Sequence, residues 1–259
     1  MYYKNMSSCI QQIPWVRTKI VIILCVVSVL AIVSCASQGS VAAVNYEMAK
    51  VYLADQVPVP GQSGNFWNGL SGTEVARYPW IGGKSDASGI FYLAADAKNL
   101  FVRAEIKDCA PQTRPLDMDP SLSWDGTSLQ VFFGTNLSRR TEYADGDFGL
   151  SMWVTQEEPN DPGSLKVMAA KGRPLNERQY KAAVVEWKDD RYVIEASFSL
   201  DILGISKPFK AGQRVRCEFR INHAKQGEPR SVIVNWRTST DDAWRNPNTW
   251  SDGIIEKKP

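Results

Sequence analysis

Histidine is almost missing from this chain: 259 residues contain one, His223. A zinc centre built from several histidines is thereby excluded. A serine triad would have to use that single ring, and no nucleophile-elbow sequence accompanies it. Cysteine is nearly as scarce, because three of the five, Cys9, Cys25 and Cys35, fall in the first 35 residues. Of the remaining pair, Cys217 shares the inward parity of Val215, Phe219 and Ile221, whereas Cys109 continues the polar series Arg103, Glu105 and Lys107. That parity argues against a bridge between them. An excess of positive charge is missing too. Three of the 30 Lys and Arg and none of the 28 Asp and Glu precede Cys35, so the rest carries 27 bases against 28 acids, a formal charge of −1. With no Lys/Arg cluster, nucleic acid is excluded as a partner. Long amphipathic helical patterns are absent as well, as are internal repeats.

One long apolar run exists, residues 20–33, preceded by Arg17 and Lys19. It is short for a permanent span and reads as the core of an export signal. Its end, Ile32-Val33-Ser34-Cys35, resembles the lipobox of bacterial lipoproteins. That resemblance implies that Cys35 is acylated and becomes the first mature residue. Acyl chains there would hold the protein to a membrane without a span. An uncleaved N-terminal anchor helix is the alternative. Ala36, in place of an acidic residue, directs the lipid-anchored chain to the outer membrane or surface of a bacterial envelope. The expected organisation is a signal peptide with a signal helix over 1–34, a small-residue tether over 35–44 and one domain over 45–259. The 225 residues from Cys35 onward suffice for one large core.

The body reads as short strands divided by turn chemistry. Leu100, Val102, Ala104 and Ile106 alternate with Phe101, Arg103, Glu105 and Lys107, the period of a two-faced strand. Residues 90–95 pair with it through the turn at 96–99. Residues 180–188 and 191–198 flank Asp189-Asp190 as a second hairpin. Further strands are expected at 128–133, 148–154, 214–222, 231–236 and 250–256. One helical turn is expected at 199–203, stopped by Gly204 and Pro208. Residues 155–176, rich in Pro and Gly, read as a long loop with one weak strand. The fold class is all-β, an antiparallel β-sandwich.

Two tryptophans stand out against that frame. Trp124 precedes Asp125-Gly126, a pair suited to a sharp turn, and the strand beginning at Ser128 follows at once. Trp244 sits in a polar loop just before the last strand. An indole on a strand-end loop is a flat apolar plate, and sugar rings carry flat C–H patches that stack on such plates while their hydroxyls seek polar groups at the rim. The other tryptophans, Trp67, Trp80, Trp153, Trp187 and Trp236, read as packing residues, with Trp153 placed to line a cleft floor.

The ordered motifs resemble carbohydrate-binding modules of family 9 within the DOMON-like group of jelly-roll or immunoglobulin-like sandwiches. Asp96-Ala97-Lys98-Asn99-Leu100-Phe101-Val102 resembles the family's first hairpin. The run from Trp124 to Phe132 resembles its Trp-x-Gly-Asp-Ser-Val-Glu-Val-Phe motif. Tyr192-Val193-Ile194-Glu195-Ala196 and Trp244-Arg245-Asn246-Pro247 resemble its later signatures. The resemblance covers about residues 66–256.

It implies a non-catalytic domain that stacks a sugar ring between Trp124 and Trp244. Gln130, Arg220, Asn222 and Asp241 are then the hydrogen-bonding candidates, and an oligo- or polysaccharide is the partner. Thr127 and Gln130 depart from the acidic residues usual in the family; a glutamine both accepts and donates. The family also implies structural calcium, for which Asp86, Asp96 and Asp108 are the oxygen donors at hand, spread widely along the chain. Rival classes are a glycosidase, or its accessory module in polysaccharide breakdown, using Glu186, Glu195 or Glu218, and a haem-binding electron-transfer domain with Met118 or Met152 opposite His223.

Overall fold

The computed structural model describes residues 47–76, 86–156, 164–169, 173–224, 230 and 232–259. The signal segment, the tether, Cys35 and Trp80 lie outside the described residues. Among those described, thirteen strands and no α-helix form. They are β1 (Ala49–Leu53), β2 (Thr73–Val75), β3 (Ala87–Ala95), β4 (Asn99–Asp108), β5 (Ser128–Gly134), β6 (Asp147–Val154) and β7 (Leu165–Ala169). After them come β8 (Arg173–Pro174), β9 (Tyr180–Lys188), β10 (Arg191–Ser199), β11 (Arg214–His223), β12 (Val232–Asn235) and β13 (Ser251–Lys257).

The strands hydrogen-bond in the order β8-β7-β6-β5-β11-β13-β1-β3-β4-β10-β9, with β12 added to β11 and β2 to β3. Because β7 also lies against β9, the sheet turns back on itself and encloses one core, giving a sandwich. Alternation sets which residues enter it. Leu100, Val102, Ala104 and Ile106 of β4 meet Leu129, Val131 and Phe133 of β5 and Phe219 and Ile221 of β11 in one buried cluster. Phe91 of β3 packs on Phe219 across it, ring centres 5.0 Å apart.

Pairing is antiparallel with one exception. β1 is parallel to both of its neighbours, Ala49 facing Gly253 of β13 and Val51 facing Leu93 of β3. Residues 199–203 correct the expectation of a helix: β10 ends at Ser199 and the chain turns irregularly through Leu200–Gly204, closed by a bond from the Ile205 amide to the Leu200 carbonyl at 2.9 Å. The 155–176 segment, expected to hold one weak strand, holds two: β7, in register with β6, and the two-residue β8 paired to it. Cys217 is a core thiol, Cys109 is exposed, and the two are not joined. Burial pushes the Cys217 thiol up, with Glu218 and Asp252 adding to it.

Every residue of β5 is buried, which identifies where its second face is covered. Leu129, Val131 and Phe133 serve the core, so Ser128, Gln130 and Phe132 point to the opposite side of the sheet. Loops before β5 and after β12 cover that side, and between them lies the candidate site.

Candidate functional site

The floor of the site is a row of polar side chains laid across four strands. Gln130 of β5 is in register with Ser151 of β6 and Arg220 of β11, and Arg220 is in register with Asn235 of β12. The row is hydrogen-bonded from end to end. Gln130 Nε2 donates to Ser151 Oγ at 3.0 Å, Arg220 Nη1 donates to Gln130 Oε1 at 3.4 Å, and Arg220 Nε donates to Asn235 Oδ1 at 2.9 Å. Phe132, in the next row, lies 5.9 Å from the Arg220 guanidinium and stacks on Trp250.

Two loops raise the walls. The first contains a 3₁₀ turn at Pro120–Leu122, capped by the Asp119 carboxylate at the Ser121 amide, and it delivers Trp124. Gly126 follows at φ 153°, a backbone conformation that residues with a side chain rarely adopt, so the tight entry into β5 needs glycine. The second loop joins β12 to β13 and carries Asp241 and Trp244. It is pinned from beneath: Trp250 Nε1 donates to the Ala243 carbonyl at 2.8 Å, and the Tyr143 hydroxyl donates to the Trp244 carbonyl at 3.1 Å.

Between floor and walls is a recess of about 400 Å³, lined by Ser121, Ser123, Trp124, Gln130, Phe132, Gly149, Leu150, Ser151, Met168, Arg220, Arg230, Asp241 and Trp244. That volume falls within the roughly 300–1,000 Å³ usual for small-molecule sites. Trp124 is 42% exposed and Trp244 46%, against 1–7% for Trp67, Trp153, Trp236 and Trp250. Two exposed indoles lining one recess form the kind of apolar patch, rimmed by polar residues, that marks a binding site.

Charge in the recess is unevenly matched. Arg220 is 1% exposed and donates from Nη1 to Asp241 Oδ1 at 2.5 Å, yet its Nη2 is buried with no hydrogen-bond partner. Burial pulls the Arg220 guanidinium below its ordinary range, and the Asp241 carboxylate only partly restores it. Arg230 sits over the Trp124 ring at 4.9 Å and donates to Asp241 Oδ2 and Asn222 Oδ1, each at 3.4 Å. Two guanidiniums thus share one carboxylate, and a donor stands ready for an oxygen of a bound molecule. Leaving such a donor unpaired costs about 1–3 kcal/mol, which an incoming acceptor would recover.

Five of the six residues expected to contact a ligand therefore line one recess: Trp124, Trp244, Gln130, Arg220 and Asp241. Asn222 does not reach it. It is fully buried one step along β11, donates to Ser128 Oγ at 3.0 Å and accepts from Arg230, so it supports the recess through that arginine. Arg230, Ser151 and Phe132 were not singled out from the sequence. Gln130 and Ser151 could have been joined by the register of β5 and β6; nothing near Arg230 signalled its position over Trp124.

The residues of the rival readings have other surroundings. Glu195 is buried and accepts from the Gly61 amide, Ser63 and Arg103; Glu218 accepts from the amides of Trp236, Arg237 and Thr238; Glu186 pairs with Lys188 and Arg191. Met152 is in the core, Met118 Sδ accepts from Arg114 Nε, and His223 faces Asp108. Of the three acids considered for calcium, Asp86 precedes β3 and Asp96 follows it, roughly 30 Å apart at about 3.3 Å per residue. Asp96 instead closes its own turn, accepting from the Lys98 and Asn99 amides and, on its other oxygen, from the Val57 amide. Trp153 lies away from the recess, in a small cavity shared with Trp187 and Tyr192.

Fold and recess together define a class: a β-sandwich with a concave site on the outer face of its sheet, walled by aromatic residues on loops. Residues 59–258 match the model of the carbohydrate family 9 binding domain-like family, and the chain belongs to that family. Its sequence is also similar to endo-1,4-beta-xylanase A of Thermotoga neapolitana, 22% identical over 194 residues, and to that of Thermoanaerobacterium saccharolyticum, 19% identical over 201. These alignments cover 75% and 78% of this chain but 16% and 15% of the xylanases, so the chain spans about a sixth of their length. Among solved structures, a family 9 carbohydrate-binding module from Caldicellulosiruptor kristjanssonii in complex with cellotriose superposes with a TM-score of 0.62 at 18% identity, covering 81% of this chain and 95% of that one. The same organism's module in complex with glucose gives 0.60 at 19% identity, covering 81% and 97%. These likenesses establish the shared fold.

Proposed function

We propose that the domain binds carbohydrate without chemistry of its own, holding a sugar ring between Trp124 and Trp244 over the polar row Gln130–Arg220. The observation that carries this reading is the pairing of two half-exposed indoles with a buried, under-bonded guanidinium in one recess. Indole faces take the C–H side of a pyranose, and the unpartnered Nη2 of Arg220, the Asp241 carboxylate and Gln130 take hydroxyls. Family membership supports the same class of ligand, and the relatives found with cellotriose and glucose make glucose-based oligosaccharides the first ligands to try. Acylation at Cys35 would station the domain at a bacterial envelope, where it would serve polysaccharide breakdown by keeping glycan near the cell.

Isothermal titration of the purified protein with cello- and xylo-oligosaccharides is the test. Saturable binding with a negative heat-capacity change is the expected outcome. Binding that persists in a Trp124→Ala, Trp244→Ala double variant would remove the stacking model.

A further inference from the structure

At the opposite end of β11 from its start, three chemically distinct side chains converge that sequence separation hides. The Asp86 carboxylate, the Cys109 thiol and the His223 imidazole bring their ligand atoms within 4.8 Å of one another, with Cys109 Sγ 3.9 Å from His223 Nε2. Three strands place them. Asp86 precedes β3, Cys109 follows β4 and is tied to Asp86 by its amide on the Asp86 carbonyl at 3.0 Å, and His223 is the last residue of β11.

We propose that Asp86, Cys109 and His223 bind one zinc-class divalent ion, with solvent as the fourth ligand. The spacing fits. A tetrahedral centre with Zn–S near 2.3 Å and Zn–N near 2.0 Å sets sulfur and nitrogen about 3.5 Å apart, a short adjustment from what Sγ and Nε2 already have. The ring is also aimed. Asp108 Oδ1 lies 2.8 Å from His223 Nδ1, which holds the imidazole with Nε2 turned toward Cys109 Sγ, the usual carboxylate–histidine–metal arrangement. Asp108 itself is 1% exposed, and its Oδ2 is buried with no hydrogen-bond partner.

Access comes from an open cleft of about 380 Å³, in whose lining Asp86, Asp108, Asp190 and Cys109 outnumber the cations Lys107 and Arg191. A thiol and an imidazole select a borderline-soft ion over calcium, which takes oxygen donors. On binding, the Cys109 S–H bond breaks, the sulfur keeps the electron pair as thiolate and the proton leaves to solvent. The ion would clamp the β3–β4 hairpin to the end of β11, about 10 Å along that strand from Arg220 at about 3.3 Å per residue. One histidine excludes a histidine-built centre; it does not exclude this mixed one.

The test uses the full chain, purified in detergent under reducing conditions and freed of metal by a chelator. Zinc titration should show one more ion bound per parent chain than per Cys109→Ser chain, and cobalt(II) should give a near-ultraviolet thiolate charge-transfer band that the variant lacks. The cysteines at 9, 25 and 35 are common to both proteins, so the difference isolates Cys109. Asp86→Asn, a surface change that leaves His223 and Asp108 in place, should weaken zinc binding at least tenfold. Equal stoichiometry and spectra in parent and Cys109→Ser, or full affinity in Asp86→Asn, would overturn the site; oligosaccharide binding should be unaffected in both variants.

Discussion

Two arginine–carboxylate pairs lie on outer faces of the same sheet, and they have opposite fates. Arg103 of β4 donates to Glu195 of β10 at 2.6 Å and to Glu105 at 2.8 Å, while Gly61 and Ser63 close over Glu195 from a loop and fill its remaining acceptor positions. Burial alone would lower the Arg103 guanidinium, but its hydrogen bonds to the two glutamates outweigh burial and raise it. At Arg220 the balance is reversed: burial wins over Asp241, and Nη2 has no partner. The loops there stop at the rim and present tryptophans instead of closing. A polar pair that is fully bonded and roofed is a fastening; one that is under-bonded and rimmed with exposed indoles is left open to a further partner.

The comparison can be broken first at its structural half. Glu195→Ala strips a fully buried carboxylate from Arg103, Ser63 and the Gly61 amide, and should cost about 3 kcal/mol of stability in urea unfolding, with sugar affinity of the folded fraction unchanged. Arg220→Met should do the converse. Affinity measured by titration should fall about 30-fold, near 2 kcal/mol, because both the floor's central donor and its unpartnered Nη2 disappear. Trp124→Ala and Trp244→Ala should each weaken binding roughly tenfold, while thermal stability shifts by less than about 0.5 kcal/mol, as for surface changes. A large stability loss in either would class that indole with the core.

The smallest effect is a titration. Asp147 at the start of β6 has Oδ1 buried without a partner, and burial raises its carboxyl above the ordinary range, against the Ala144 amide and Arg216. An acid raised on folding binds its proton more tightly in the native state, so its stabilising contribution is present below the ordinary carboxylate range. It is lost as pH rises through the raised value. Stability of Asp147→Asn should therefore decline less than that of the parent across that window, as followed by thermal melts.

Much of this was legible in the sequence, for identifiable reasons. Strands such as β4 and β11 announce themselves by alternation, Trp124 by the Asp-Gly turn at a strand mouth, and Trp244 by polar neighbours that argue against burial. β1 did not show. Its five residues are too few for a period, and its partners, β3 and β13, lie about 40 and 200 residues away, so nothing local marks it. Residues 199–203 carry a helical pattern, but the chain needs only a corner there, and tertiary context overrode propensity. Asn222 was misplaced for want of register: it and Arg220 share a face, and only the pairing with Ser128 shows which of them opens to the recess. Arg230 and the Asp86–Cys109–His223 cluster depend on approach between segments over 100 residues apart, which periodicity does not encode.

The parallel seam between β1 and β13 has a mechanical consequence. The chain enters β1 at Ala49 beside Gly253 and leaves β13 at Lys257 beside Leu53, so the two ends of the domain exit this seam in opposite directions. A pull applied between Ala49 and Lys257 would run lengthwise along both strands, stressing their rungs all at once in shear instead of unzipping them singly. The domain is wired to carry tension.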